Sequence, residues 1–213
     1  MASLLLARHG LKESEDGAVN WHLRLLPQGV QGVVQTAAAA KALGLSVSRI
    51  VTSPFPRCIQ TAALYAASFS VSSLCVEPGL CEILDDALGG KGFEWPALPS
   101  WTLLELEEIA TQQLGSDAVR IDKTYAPIIP ASDLRREQGN GREEVSARVV
   151  RMCEGIREAH AQGSCGLTLY VSHGSPCRRL ADLLCPEQAP HKELPMGSIV
   201  VVECGKVIAR LCP

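Results

Sequence analysis

The chain opens on an apolar run of strand length, Leu4-Leu5-Leu6-Ala7, which stops on Arg8-His9-Gly10. Leu11 to Pro27 is polar and irregular. Gln28 to Leu43 is then alanine-rich, with Val30, Val33, Val34, Ala37 and Ala40 at helical spacing, and Gly44 suits the end of that helix. A second short strand, Arg49-Ile50-Val51, runs into Ser53-Pro54-Phe55-Pro56-Arg57, where two prolines predict a turn into a helix through Gln60, Thr61, Leu64 and Tyr65. Leu74 to Glu77 reads as a third strand, closed by Pro78-Gly79.

From Ile83 to about Gln138 the periodicity breaks down into Gly89-Gly90, Pro96, Pro99, Pro127 and Pro130, with one acidic helical piece at Leu103 to Ala110. Such a stretch is too long for a plain loop and reads as an inserted cap at about 83–138. Regular pattern resumes at Arg142 to His160, where Val145, Val149, Met152 and Ile156 mark one helical face. A strand at Leu167 to Ser172 then stops on His173-Gly174. It is followed by a helix from Pro176 to Leu184 and by strands at Ser198 to Glu203 and Val207 to Leu211. This alternation predicts a single α/β domain over 1–213, a three-layer sandwich with a largely parallel central sheet and helices on both faces. Both His-Gly turns then fall at the carboxyl edge of the sheet, where open α/β sheets place reactive groups.

Composition narrows the classes of function. With 213 residues and a formal charge of -3, the chain has no massed Lys and Arg of the kind nucleic-acid binding needs, so no nucleic-acid partner is expected. An anionic substrate must be held by a local pocket. The nine cysteines form no Cys-x-x-Cys, and no His-x3-His spacing accompanies them, so no zinc site is expected. The N-terminal run lacks a basic leader and a small-residue cleavage site, and no apolar run approaches the roughly 20 residues of a membrane span. These features predict a cytoplasmic protein with mostly buried free thiols and no membrane association.

Several residues make chemical sense as a set. Neutral imidazole attacks phosphorus well, and the phosphohistidine it forms splits one hard displacement into two easier ones, which makes His9 a candidate nucleophile. Arg8 and Arg57 offer planar forks for the charged equatorial oxygens, and His173 can donate to them when protonated beside the dianion. Glu82, directly after the third strand, is the candidate acid for the leaving oxygen, a role that near neutral pH calls for burial to raise its pKa. A lone strand-end histidine is more often structural. Here Arg8-His9-Gly10, Ser53-Pro54-x-x-Arg57, Glu82 and His173-Gly174 each fall at the end of a separate predicted strand.

In that order and spacing these residues resemble the histidine phosphatase superfamily, the phosphoglycerate mutase-like fold, over nearly the whole chain. The segments from Ser53 to Ala62, Val76 to Glu82 and Asp122 to Ser132 look closest to one branch. Its members are the phosphatase domain of the suppressor of T-cell receptor signalling proteins and the insect ecdysteroid-phosphate phosphatases. The resemblance implies a metal-independent phosphomonoesterase without a cofactor. His9 is then the nucleophile, Arg8, Arg57 and His173 surround the phosphate, and Glu82 is the proton donor. Phosphotyrosine, aryl phosphates or bulky small-molecule phosphates are the implied substrates, and a homodimer is what that branch suggests.

One position departs from the branch, whose members carry Arg-His-Gly-x-Arg. Here Lys12 stands where a second guanidinium would be, keeping a phosphate-binding charge and losing the fork. Mutases of this fold continue with x-Ser/Thr-x-Trp-Asn, against Leu11-Lys12-Glu13-Ser14-Glu15 here, and histidine acid phosphatases end their second motif in His-Asp rather than His-Gly. A mutase or sugar bisphosphatase, and a phosphate-binding protein without turnover, are the competing readings. Phe93, Trp95, Trp101 and Tyr125 lie in the insert as candidates for an apolar wall against a leaving group, or for the insert's own core. Cys58, beside Arg57, is expected to be a buried, inert thiol.

Overall fold

The computed structural model describes residues 3–14, 22–82, 101–115, 119–133, 142–162 and 166–213. Its strands are β1 (Leu4–Arg8), β2 (Val47–Thr52), β3 (Ser73–Val76), β4 (Arg120–Ile121), β5 (Leu167–Ser172), β6 (Ile199–Glu203) and β7 (Lys206–Leu211). They form one sheet in the order β4-β3-β2-β5-β1-β6-β7. The first five strands of that order run parallel, while β6 is antiparallel to both β1 and β7.

The helices are α1 (Pro27–Ala42), α2 (Pro56–Phe69), α3 (Leu103–Leu114), α4 (Arg142–Ala161) and α5 (Gly174–Leu184). The chain steps from β1 to β2, β3 and β4 in one direction across the sheet, then returns from β4 to β5. Right-handed crossovers therefore put α1, α2 and α3 on one face and α4 on the other. Packing follows the same division, with α1 and α3 against α2 and α4 against α5. The three-layer α/β reading holds. Leu5, Leu6, Ile50, Leu74, Leu169 and Ile199 are fully buried between the layers.

Local rules account for the boundaries. Pro27 and Pro56 occupy the first turns of α1 and α2, where a missing N–H costs nothing, and Gly44 at φ 76° follows the end of α1. Helix α3 starts with a reciprocal capping box between Thr102 and Glu105. Two outcomes differ from the sequence reading. Helix α5 begins at Gly174, two residues before the expected Pro176, with His173 as its N-cap. The segment read as an inserted cap contributes α3 and also β4, which pairs with β3 and extends the sheet. Of the same segment, 83–100, 116–118 and 134–138 lie outside the described residues. Among the described residues no helix is long and apolar enough to cross a membrane.

Candidate active site

Register brings the predicted residues together. Arg8 pairs with Ser172, Val171 with Thr52, and Thr52 with Val76, so four strand ends stand level. Backbone bonding runs one residue further along three of them: His9 N donates to Ser172 O at 2.9 Å, Ser53 N to Val171 O at 3.0 Å, and Glu77 N to Thr52 O at 2.8 Å. His9, Ser53, Glu77 and His173 thus leave the sheet side by side at its carboxyl edge.

His9 is 1% exposed, and its Nδ1 lies 2.8 Å from the Gly10 carbonyl oxygen. A carbonyl only accepts, so Nδ1 carries the proton and Nε2 the lone pair. Gly10 is itself fixed, because its amide donates to Thr61 Oγ1 at 3.0 Å while Thr61 Oγ1 donates to the Arg57 carbonyl at 2.7 Å. A Cβ on Gly10 would press on the Gly29 carbonyl and Val33, so only glycine lets α1 approach this turn. Burial first, then the Arg57 charge, hold the His9 pKa well below the ordinary imidazole value.

His173 meets His9 edge to face, with ring centroids 5.3 Å apart. Arg57 Nη2 donates to its Nδ1 at 3.1 Å, so its proton sits on Nε2, which faces Ser53 Oγ at 3.1 Å. The Glu82 carboxyl oxygen Oε2 stands 3.5 Å from the same Nδ1. Burial and Arg57 keep the His173 pKa low as well. His173 is therefore neutral here, and donation from Nδ1 to an anion calls for a proton gained along with that anion.

The cations converge from three elements. Arg57, in the first turn of α2, is 5% exposed and lies over the Phe55 ring at 4.7 Å. Its Nε and Nη1 are buried with no hydrogen-bond partner among the described residues. A guanidinium left with two unsatisfied donors is an anion site in geometry and charge. Arg8 Nη1 reaches Leu194 O at 2.7 Å and Glu193 Oε1 at 2.9 Å. Lys12 is half-buried with Nζ on the Glu13 carbonyl at 3.1 Å, and burial followed by the charges of Arg57 and Arg8 lowers its pKa. That repulsion marks it as part of the same positive cluster.

The family model of the histidine phosphatase superfamily (branch 1) matches residues 4–207. The chain belongs to that superfamily. Solved structures of this fold agree in architecture. An ecdysone phosphate phosphatase from Bombix mori, in complex with tungstate, is 16% identical with a TM-score of 0.70, covering 100% of this chain and 94% of its own. An alpha-ribazole phosphatase from Shigella flexneri is 18% identical with a TM-score of 0.58, covering 94% and 90%. A phosphoglycerate mutase from Bacillus anthracis is 19% identical with a TM-score of 0.58, covering 97% and 91%. No curated protein matches the chain in sequence.

This member of the superfamily also places at the site residues that sequence patterns did not single out. Glu77 is fully buried and accepts four bonds: from Gly79 N at 2.9 Å and Ile129 N at 3.1 Å on Oε1, and from Ile128 N at 2.7 Å and Tyr125 OH at 2.9 Å on Oε2. It staples the 125–129 segment to the turn that leads to Glu82. Tyr125 is accordingly a brace, with Arg49 over its ring at 5.2 Å, and not the wall against a leaving group that was considered for it. Trp101 packs edge-on to Phe55 at 5.4 Å, and Phe55 meets His173 at 4.9 Å. Phe93 and Trp95 lie outside the described residues. Cys58 is fully buried 3.5 Å from His173 Nε2, and burial raises its thiol pKa far above the usual range, as expected of an inert thiol.

Proposed function

We propose that this chain is a phosphomonoesterase working through a phosphohistidine at His9. The observation that carries this reading is the pairing of a buried His9, whose lone pair is held on Nε2, with Arg57, whose Nε and Nη1 are buried and unsatisfied. His9 Nε2 attacks phosphorus and the ester P–O bond breaks. Arg8, Lys12, Arg57 and His173 carry the charge on the equatorial oxygens. Glu82 gives its proton to the leaving oxygen. It then takes one from water, whose oxygen forms the new P–O bond as the P–N bond breaks and phosphate leaves.

Trp101 against Phe55, beside His173, supports an aromatic or bulky leaving group such as phosphotyrosine, an aryl phosphate or a large small-molecule phosphate. Buried free thiols are in keeping with a cytoplasmic location. Hydrolysis of para-nitrophenyl phosphate with a chelator present, run beside His9→Ala, tests the proposal. Chelator-resistant turnover that disappears in the variant is the expected result. Turnover retained by His9→Ala removes the phosphohistidine, and folded protein without turnover favours a phosphate-binding protein.

A further inference from the structure

We propose that Arg148, on α4, is a positioning residue for the proton donor: it holds the Glu82 backbone and so sets where the Glu82 carboxyl stands beside His173. The inference rests on the reading of Glu82 as general acid.

The turn from Glu77 to Glu82 carries the acid just past a single 3-10 turn, Pro78–Leu80, whose own bonds run from Leu80 N to Glu77 O at 3.1 Å and from Cys81 N to Pro78 O at 3.0 Å and stop short of Glu82. Two anchors fix its first part, the Glu77 carboxylate on Gly79 N and Ser172 Oγ, which donates to Leu80 O at 2.6 Å. Neither reaches Glu82. The third anchor is Arg148 Nη2, which donates to the Glu82 carbonyl at 3.4 Å. Arg148 is 4% exposed, a costly place for a guanidinium whose only task is solubility. Met152, one helical turn further along α4, packs on Gly79, where a Cβ would collide with its sulfur. Residues 148 and 152 therefore lie along the turn as a rail. The Arg148 charge is also felt at Cys81, the chain neighbour of Glu82, and at His173, which the Glu82 carboxyl faces.

A misplaced acid hurts most where the leaving oxygen needs its proton. The test compares kcat/KM for phenyl phosphate, a poor leaving group, with 2,4-dinitrophenyl phosphate, whose phenoxide departs unprotonated. Arg148→Met is expected to lose about tenfold more on phenyl than on dinitrophenyl phosphate, a part of the roughly 10²–10⁴ that a general acid supplies in full. Arg148→Lys, which keeps one charged donor, is expected to recover most of that difference, and Arg148→Gln carries the comparison if the methionine variant does not fold. Glu82→Gln is expected to show the same selectivity, larger. Equal losses on both substrates, or none, in the Arg148 variants while Glu82→Gln discriminates would overturn the positioning role alone. Glu82→Gln without discrimination removes the acid reading, and this inference with it.

Discussion

The Nδ1–H of His9 rests on the Gly10 carbonyl at 2.8 Å, so the tautomer of this proposed nucleophile is decided by a backbone atom of its own neighbour. No carboxylate is needed to orient the ring. What must be rigid instead is Gly10, and Thr61 supplies that rigidity through its hydroxyl.

Thr61→Val keeps the shape and deletes the hydroxyl, leaving the Gly10 amide buried without its acceptor. The expected cost is about 1–3 kcal/mol of stability. A fall in kcat greater than any rise in KM should accompany it, because the attacking nitrogen loses its aim. Urea unfolding and steady-state kinetics check both. Wild-type kcat in the variant would mean that Gly10 holds its place without Thr61.

Acid should act on folding and catalysis in the same direction. Burial holds His9, His173 and His160 below the ordinary imidazole value, and both ring nitrogens of His160 are buried without a partner among the described residues. The unfolded chain therefore binds more protons than the fold once pH drops below about 6.5. Stability is full above that value and is lost as pH falls from it through the folded pKa values. The urea midpoint should decline from pH 7.5 to 5.5, with a shallower decline in His160→Leu. The proposed mechanism uses neutral His9 as the attacking form, and with burial holding the ring neutral, NMR titration should place its pKa well below 6.5. A His9 titrating at 6.5 or above contradicts this.

Arg8, His9, Arg57 and His173, the proposed centre of the site, could be read from the sequence because their turns follow apolar runs whose ends are visible, as in Leu4-Leu5-Leu6-Ala7 before Arg8-His9-Gly10. The braces behind them were hidden for physical reasons. The clamp at Glu77 depends on Tyr125, Ile128 and Ile129, which lie in a segment without periodicity. Strand β4 spans only Arg120 and Ile121, too short for alternation to register. The early start of α5 was hidden because Gly174 and Ser175 are poor helix formers; the bond from Cys177 N to His173 O at 3.1 Å closes that first turn at the strand end. Arg148 did leave a trace: it stands three residues after Val145 and four before Met152, on the apolar face, where a surface arginine does not belong.

Glu77→Gln turns one acceptor oxygen into a donor that faces N–H or O–H groups on both of its sides. The expected loss is about 1–3 kcal/mol, and Glu77→Ala, which strands four buried donors, should lose more. Thermal unfolding checks the order. Equal stability of wild type and Glu77→Gln would show that the 125–129 segment is held by packing alone.

Trp101 packs on Phe55, which stands between it and the proposed phosphate ligands Arg57 and His173, so its contribution should be to the leaving group. Trp101→Ala should lower kcat/KM for an aryl phosphate about five- to tenfold, the worth of one aromatic contact, while inhibition by vanadate stays near wild type. A matching rise in the vanadate inhibition constant would instead make the indole a support of the phosphate site.

Lys12 is the position where this chain leaves the Arg-His-Gly-x-Arg pattern, and its ammonium lies in the same field as Arg8 and Arg57. A single charge-assisted bond to an oxyanion is worth about 1.5–3 kcal/mol, so Lys12→Met should raise the vanadate inhibition constant about tenfold or more. Lys12→Arg restores a planar fork that remains charged whatever the burial, and should tighten vanadate several-fold. The two variants are informative together. Opposite shifts mean that the ammonium reaches the anion and that its geometry limits affinity; no shift in Lys12→Met means that Arg8 and Arg57 carry the phosphate and Lys12 is a loop residue bonded to Glu13.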